Sequence, residues 1–222
     1  MNLTSLLMKI YHALHEAFGH RGWWPGETPF EVMVGAVLTQ RTNWGNVEKA
    51  IANLKNAGLM TPEALAQTEP ERMQALVRPA GYYRQKTARL LRLVTWLMDR
   101  SGGDMDALAK VPTDEFRAEL LALSGIGPET ADSILLYAFG RPTFVVDAYT
   151  KRVMARHELI DITFTYEELK EFFESNLPAE VELYKDYHAQ LVEVGKRYCR
   201  TVPVCSACPL HAVLGDPVLV EP

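Results

Sequence analysis

Apolar and polar residues follow one another along this chain at helical intervals. The segment from Glu180 to Tyr198 shows the pattern most plainly, because its apolar residues recur three or four positions apart and so mark one face of a helix. These residues are Val181, Tyr184, Tyr187, Leu191 and Val194. We therefore predict a long amphipathic helix here.

Helix start signals divide the rest of the chain. Thr28-Pro29-Phe30-Glu31 combines a capping box with a proline at the first helical position, and it predicts an apolar helix that runs to about Gln40. Thr165-Tyr166-Glu167-Glu168 is a second capping box. Thr61-Pro62 and Thr113-Asp114-Glu115 predict two further helix starts.

Strand signals are weak by comparison. The sequence has no long alternating run and no Asn-Gly or Asp-Gly turn, and Phe144-Val145-Val146 is its only β-like stretch. A length of 222 residues suffices for one globular unit or for two small lobes that share a core. The sequence thus predicts an all-α fold.

Composition narrows the setting. Apolar residues make up 48% of the chain and charged residues 23%, which is ordinary for a well-packed globular protein. The longest apolar run, from Val32 to Leu38, is too short to span a bilayer. The first residues lack the pattern of an export signal, so we expect a cytoplasmic protein.

Charge gives an ambiguous indication of partners. The formal net charge of −5 argues weakly against a nucleic-acid partner, although a local basic patch matters more than the total. Basic residues cluster in two places, where helical spacing would gather them on one or two faces: Arg84, Lys86, Arg89 and Arg92, and then Lys151, Arg152 and Arg156. Solvated helix faces are the plainer interpretation of either cluster.

The most informative stretch runs from Leu123 to Asp132, with the sequence Leu-Ser-Gly-Ile-Gly-Pro-Glu-Thr-Ala-Asp. Its two glycines permit a turn whose backbone presses against another surface. Pro128 stands where a second helix would begin, and the free N–H groups of that helix start would suit a phosphate. Ile126 would plug between the helices, and a plain interhelical loop is the alternative.

An aspartate follows the β-like run in Phe144-Val145-Val146-Asp147-Ala148-Tyr149. An aspartate between an apolar run and a helix is by default an N-cap, held rigidly with its charge supported by the helix dipole. Cleavage of a glycosidic bond builds positive charge on the sugar, so such a carboxylate could stabilise that transition state or activate water. Asp147 is therefore a candidate catalytic residue.

The hairpin stretch, then Ala138-Phe-Gly-Arg-Pro142, then Val146-Asp147, resembles the signature of the endonuclease III superfamily of helix–hairpin–helix DNA glycosylases. The similarity extends over roughly residues 25 to 210. It implies an all-α fold of two lobes with double-stranded DNA, carrying a damaged base, bound across the cleft between them. It also places Asp147 on the family's essential aspartate.

The resemblance further implies how the chain is organised. Residues 23–141 would form a six-helix barrel lobe that ends in the helix–hairpin–helix, and residues 1–22 together with 142–222 would form the second lobe. The hairpin would grip the DNA backbone through Gly125, Ile126, Gly127, Glu129 and Thr130. A monomer suffices for this mode of action.

Glu129 indicates which reaction the chain performs. Family members that also cleave the strand carry a lysine nucleophile at the matching position, and that lysine forms a Schiff base with the sugar. A carboxylate cannot form this imine, so we infer a monofunctional glycosylase that uses water. Lys151 or Lys86 could in principle substitute for the missing lysine.

Aromatic residues point to the substrate. Trp23-Trp24-Pro25 precedes the first capped helix and Trp44 follows it, and all could simply be core residues. In the resemblance Gln40 matches the residue that fills the gap left by the flipped base, so these aromatic faces could sandwich an extruded base. A positively charged alkylated purine would gain extra attraction from them.

Three stretches are similar to the 3-methyladenine glycosylase branch of the superfamily. They are Trp23-Trp24-Pro25, Gly35 to Gln40, and Val77 to Tyr83. Glu129 and Asp147-Ala148-Tyr149 also fit that branch better than the strand-cleaving enzymes. The sequence therefore favours alkylated purines as substrates.

The chain has three cysteines, Cys199, Cys205 and Cys208, and in a protein without an export signal such clustering suggests metal ligation. The family's iron–sulfur loop uses four cysteines, but Leu214 takes the place of the fourth. A structural 4Fe–4S cluster could persist with His211 or Asp216 as fourth ligand. Zinc bound by three thiolates and His211, or a loop without metal, are the alternatives.

Other functions remain compatible with these residues. A glycosylase for oxidised pyrimidines or mismatched bases would need the same hairpin and aspartate. A non-catalytic DNA-binding module could use the hairpin alone, although it would have no need of Asp147. A protein in which the hairpin merely packs two helices is a third alternative, disfavoured by the ordered combination of motifs.

Overall fold

Helices follow one another along the chain in the computed structural model, which describes residues 2–218. The α-helices are α1 Leu3–Phe18, α2 Pro29–Leu38, α3 Trp44–Asn56, α4 Pro62–Ala66, α5 Pro70–Val77, α6 Tyr83–Ser101, α7 Met105–Leu108, α8 Thr113–Ala122, α9 Pro128–Ser133, α10 Ala148–Arg156, α11 Tyr166–Glu174, α12 Val181–Arg197 and α13 His211–Leu214. Arg78–Ala80 and Cys205–Ala207 are 3-10 turns, and Ile134–Ala138 continues α9 as a π-helix. Residues 2–218 contain no β-strand, so the all-α prediction is confirmed.

The predicted helix starts are present, with one difference. The Thr28 side chain accepts a hydrogen bond from Glu31 N at 3.1 Å, and Thr165 forms a complete capping box with Glu168. The carboxylate of Glu31, however, accepts from Glu27 N and pairs with Lys55 Nζ at 2.9 Å. The Thr28 box is therefore one-sided, because a nearby lysine competes for its glutamate.

Two units make up the chain, one of Pro25–Arg141 and one of Met1–Trp24 with Pro142–Pro222. In the first unit, every residue of α2 from Phe30 to Leu38 is buried. A helix that is apolar on all sides belongs in the middle of a core. The hairpin and Gln40 lie in this unit.

Lys86 lies inside the first unit and does not belong to a solvated basic face. It is fully buried, and its Nζ donates to Leu38 O at 2.8 Å and to Ala80 O at 2.6 Å. Burial, and to a lesser degree the neighbouring Arg89, lowers the pKa of Lys86 to about 8. The ammonium group satisfies carbonyls at the ends of two helical segments, which explains why this residue of the basic cluster points inward.

In the second unit the core is aromatic. The rings of Phe144 and Phe173 stack with centroids 4.1 Å apart, and Tyr184 and Tyr187 meet Phe144 edge-on. The β-like run Phe144–Val146 is thus a buried extended segment without a strand partner among residues 2–218. It delivers Asp147 to the start of α10.

Among residues 2–218, none of the helices combines the length and the hydropathy that crossing a bilayer requires.

Candidate active site

Asp147 is the N-cap of α10, as its sequence context predicts. One carboxylate oxygen, Oδ1, accepts from Thr150 N at 2.7 Å and from Thr150 Oγ1 at 2.9 Å. The side chain is only 12% exposed. The cap therefore fixes the orientation of the carboxylate while the other oxygen, Oδ2, points elsewhere.

His188 faces that second oxygen. Its Nε2 lies 3.9 Å from Asp147 Oδ2, and the imidazole is buried on α12. Burial lowers the pKa of His188, an effect that Asp147 opposes and Lys196 reinforces. A neutral imidazole leaves the negative charge on Asp147, which is the form that can stabilise a cationic sugar.

Sequence reasoning missed His188. It stands between Tyr184 and Leu191 on the apolar face of α12, where a histidine is ordinarily a core residue. Only the packing of α12 against α10 brings it to Asp147.

That packing depends on Gly195. A Cβ built on Gly195 would lie 2.5 Å from Tyr149 Cδ1, so only glycine lets the ring of Tyr149 rest on α12. Arg152 adds a second tie between the helices, donating to Gly195 O at 3.0 Å and to Cys199 O at 2.7 Å. These contacts hold the start of α10, and Asp147 with it, at a fixed distance from His188.

The hairpin in the first unit joins α8 to α9. Gly125 has φ +93°, a conformation that favours glycine, while Ile126 is buried between the helices as expected. Gly127 is extended, and a Cβ there would meet nothing within 4 Å. Glu129 is exposed, whereas Thr130 is buried. Whether these residues bind DNA phosphate stays a prediction.

Gln40 is bound to the hairpin. Its Nε2 donates to Gly125 O at 3.0 Å and to Thr130 Oγ1 at 2.9 Å, and its Oε1 accepts from Arg89 Nη1. Arg89 is a second residue that sequence reasoning did not single out for the site. Its interaction with a residue 49 positions away could not be anticipated from local patterns.

The predicted base-pocket residues are half-buried or exposed. Trp23 and Trp24 are half-buried, with ring centroids 5.2 Å apart and planes at 49°. Rings this close leave no slot between them, so a base would stack on an outer face of the pair. Pro25 is exposed, and Trp44, the first residue of α3, donates its indole N–H to Glu48 at 2.8 Å. A base-binding role for these four stays a prediction.

A buried carboxylate anchors the segment before Trp23. Asp186 on α12 accepts from Arg21 N at 2.8 Å, His15 Nδ1 at 3.0 Å, Tyr11 Oη at 3.1 Å and Gln190 Nε2 at 3.2 Å. Burial acts to raise the pKa of Asp186, but these hydrogen bonds outweigh it and hold the pKa below its ordinary value. One turn of α12 thus carries both this anchor and His188.

The three cysteines line one cavity together with His157 and His211. Burial raises the pKa of the Cys205 and Cys208 thiols, and His211 pairs with Asp216 at 3.1 Å. Within the structure's described range, His, Cys, Asp and Glu residues nowhere come together as a group that could hold a metal ion. With Leu214 in the fourth position, these residues do not fit a four-thiolate cluster.

A buried arginine organises the same loop. Arg156 donates from Nη1 to Arg200 O at 2.6 Å and to Cys199 Sγ at 3.5 Å, and from Nη2 to Thr201 O at 3.3 Å. Lys151 of the second basic cluster likewise binds a backbone carbonyl, with its Nζ donating to Phe164 O at 2.7 Å.

Comparison with known proteins identifies the class of this molecule. Residues 34–179, which include both the hairpin and Asp147, match the HhH-GPD superfamily of base excision DNA repair proteins. The chain belongs to this superfamily and is a DNA glycosylase of base excision repair. The family assignment made from the sequence is confirmed.

Particular relatives cover most of its length. A Methanocaldococcus jannaschii protein assigned as a DNA repair glycosylase is 46% identical over 211 residues, which cover 94% of this chain and 96% of that protein. Endonuclease III of Thermotoga maritima is 34% identical over 81% of this chain and 79% of the enzyme. The structure of Helicobacter pylori 3-methyladenine DNA glycosylase bound to 1,N6-ethenoadenine matches with a TM-score of 0.77 and 30% identity, over 89% of this chain and 98% of that one.

Proposed function

We propose that this glycosylase is monofunctional and removes alkylated purines of the 3-methyladenine kind from double-stranded DNA, with Asp147 as the catalytic carboxylate. The observation that carries the proposal is the asymmetry of Asp147, whose Oδ1 is engaged by Thr150 while Oδ2 faces the buried imidazole of His188. A rigid, charged oxygen in a largely buried place suits the stabilisation of a sugar cation.

The reaction follows from the charges. An alkylated adenine is already cationic, so when its bond to the sugar breaks, the electron pair neutralises the base and the positive charge moves to the sugar. Asp147 stabilises that charge, and water adds its hydroxyl to the sugar carbon while its proton passes to the carboxylate. The strand stays intact at an abasic site.

Three side chains support a glycosylase that leaves the strand uncut. Glu129, at the position of the family's lysine nucleophile, is exposed and cannot form an imine. Lys86 is buried with its Nζ on two carbonyl oxygens, and Lys151 Nζ is bound to Phe164 O. These contacts argue against either lysine as a replacement nucleophile.

Support for an alkylated purine comes from the Trp23–Trp24 pair and from the similarity to the Helicobacter pylori 3-methyladenine glycosylase. The electron-rich face of an indole attracts a cationic base more strongly than a neutral one. Stacking alone then suffices to select the damaged base, because an alkylated purine leaves the sugar readily without being protonated by the enzyme.

The test is release of free base from a duplex that carries a single 3-methyladenine. We expect release by the wild-type protein, an unbroken abasic strand, and a loss of about 100-fold or more in Asp147→Asn. Asparagine is an equally good N-cap, so circular dichroism should show the same fold. No release by either protein would overturn the substrate assignment.

An endonuclease III-like specificity for oxidised pyrimidines is the second candidate, favoured by the 34% identity to the Thermotoga maritima enzyme. A panel of duplexes with one defined lesion each separates it from the first. A protein that binds all of them and excises none would be a DNA-binding module.

The cysteine loop contributes no step to this mechanism. A retained 4Fe–4S cluster on Cys199, Cys205 and Cys208 would need a fourth ligand, and His211 would have to leave Asp216 to supply it. Iron and zinc content and the visible absorption spectrum of the purified protein decide between a cluster, zinc and a metal-free loop.

A further inference from the structure

The nitrogen and the oxygen of the Gln40 amide both make hydrogen bonds within the first unit. An arginine side chain can only donate hydrogen bonds, so the contact with Arg89 fixes the oxygen of the amide on that side. The amide nitrogen then faces two acceptors, Gly125 O at 3.0 Å and Thr130 Oγ1 at 2.9 Å. All three contacts agree on a single orientation of the side chain.

Arg89 touches the hairpin as well as Gln40. A Cβ added to Gly125 would lie 2.7 Å from both Cγ and Nε of Arg89 and 3.0 Å from its Cδ. The stem of Arg89 thus runs directly under the turn while its guanidinium holds Gln40. Because the guanidinium is tied to Gln40, the stem is not free to move away.

We infer that Arg89 is a positioning residue that couples the hairpin to Gln40. When the hairpin binds the DNA backbone, this coupling fixes the position of Gln40 relative to the gap left by the flipped base. The inference rests on the gap-filling role of Gln40, which the resemblance to the glycosylase family implies. The role inferred for Arg89 needs no contact of its own with the base or the sugar. It acts through Gln40, by holding the amide in register with Gly125.

Coupling of this kind makes a distinctive prediction for a double-mutant cycle. A hydrogen bond to a charged group contributes enough that its loss weakens an interaction about tenfold. If Arg89 works only through Gln40, the double variant should be no weaker than Gln40→Ala alone. If Arg89 instead binds phosphate, the two losses should multiply to about 100-fold.

The experiment uses a duplex with a tetrahydrofuran abasic analogue and 2-aminopurine in the opposite strand at the gap. Binding affinity and 2-aminopurine fluorescence are measured for wild type, Gln40→Ala, Arg89→Ala and the double variant. We expect wild type to change the fluorescence, each single variant to bind about tenfold more weakly with that change reduced, and the double variant to match the singles.

A matched control lies one turn further along α6. Arg92 donates from Nη1 to Ser124 O at 3.3 Å, so it also meets the hairpin, but among residues 2–218 no hydrogen bond joins it to Gln40. We expect the effect of Arg92→Ala to multiply with that of Gln40→Ala. The salt dependence of binding should be unchanged in Arg89→Ala, whereas loss of a phosphate contact would reduce its slope by about one.

Multiplied effects for Arg89 and Gln40, or a reduced salt slope in Arg89→Ala, would overturn the coupling. Melting temperatures of the variants identify any that are merely unfolded, and Arg89→Lys then serves as the milder replacement in the same cycle. The abasic analogue has no base to excise, so this test stays readable even if the chain fails to release 3-methyladenine.

Discussion

Tyr149 on α10 occupies the space that a side chain at Gly195 of α12 would need, with its Cδ1 only 2.5 Å from the place of a Cβ. Glycine inside a helix ordinarily costs about 1 kcal/mol relative to alanine. Gly195 offsets that cost because it lets α10 and α12 approach each other closely. This close approach determines the position of Asp147 relative to His188.

The first prediction follows from this contact. Gly195→Ala should lower the free energy of unfolding by about 1–3 kcal/mol, because Tyr149 must move, and it should also slow base excision by displacing Asp147. Urea unfolding and single-turnover excision measure the two effects. Gly45→Ala on α3 is the matched control, since its Cβ would meet only Asn43 Oδ1 at 3.5 Å. A stabilised Gly195→Ala protein would contradict the packing argument.

The second prediction concerns pH and His188. Burial lowers its pKa in the folded protein, so the folded state resists protonation that the unfolded chain accepts below about pH 6.5. Stability is therefore complete above that pH and decreases as the pH falls from there towards the folded pKa. The imidazolium would also neutralise Asp147.

Single-turnover excision should therefore weaken in the wild-type protein only as the pH falls through the lowered pKa of His188, which lies below the ordinary value of about 6.5, whereas in His188→Gln the decline should begin at lower pH. Rates measured between neutral and mildly acidic pH on the same duplex test this. If the excision rates of the two proteins decline at the same acidic pH, His188 does not act on Asp147.

The third prediction concerns Glu129. Glu129→Lys restores an amine at the position where strand-cleaving relatives carry their nucleophile, so borohydride should trap this variant covalently on DNA with an abasic site. Wild type, and Glu129→Gln as the uncharged control, should not be trapped. Trapping of wild type would mean that another lysine forms the imine, and removal of Lys151 and Lys86 in turn would locate it.

The fourth prediction concerns Asp186. Its folded pKa lies below the ordinary value, so its contribution to stability is present above about pH 4 and is lost as the pH falls through the folded pKa. Asp186→Asn should cost about 1–3 kcal/mol at neutral pH and flatten the acid side of the stability curve. Asp99→Asn, an exposed change on α6, should do neither.

The same variant tests the anchoring of the Trp23–Trp24 segment. Because Asp186 holds Arg21 N, we expect Asp186→Asn to raise KM for the alkylated duplex more than it lowers kcat. An unchanged KM would show that the aromatic pair is positioned by other contacts.

Local patterns predicted the helices well because the signals are themselves local. Thr28, Thr61 and Thr165 each accept a hydrogen bond from a backbone N–H three residues on, and Asp147 caps α10 in the same way. Each of these caps depends only on residues within a few positions of it, so it can be predicted from the sequence.

The supporting residues of the site could not be predicted in this way. Gln40 meets Gly125 across 85 positions, and His188 meets Asp147 only because α12 packs on α10. The burial of Lys86 could not be predicted either. The spacing of the basic residues shows that they share a helix, but it does not show which of them binds backbone carbonyls in the core. Tertiary contacts decide these cases.

The hydrogen bonds that hold the amide of Gln40 also bear on how such a protein would move along undamaged DNA. If Gln40 is the residue that fills the gap, its amide gains little by intruding between paired bases, because its nitrogen and its oxygen already have partners. We therefore expect it to leave intact duplex undisturbed. Only where base pairing is already weakened would Gln40 gain enough from contacts with DNA to replace its contacts within the protein. A protein of this kind would then bind more tightly at faults in the duplex than at intact sequence.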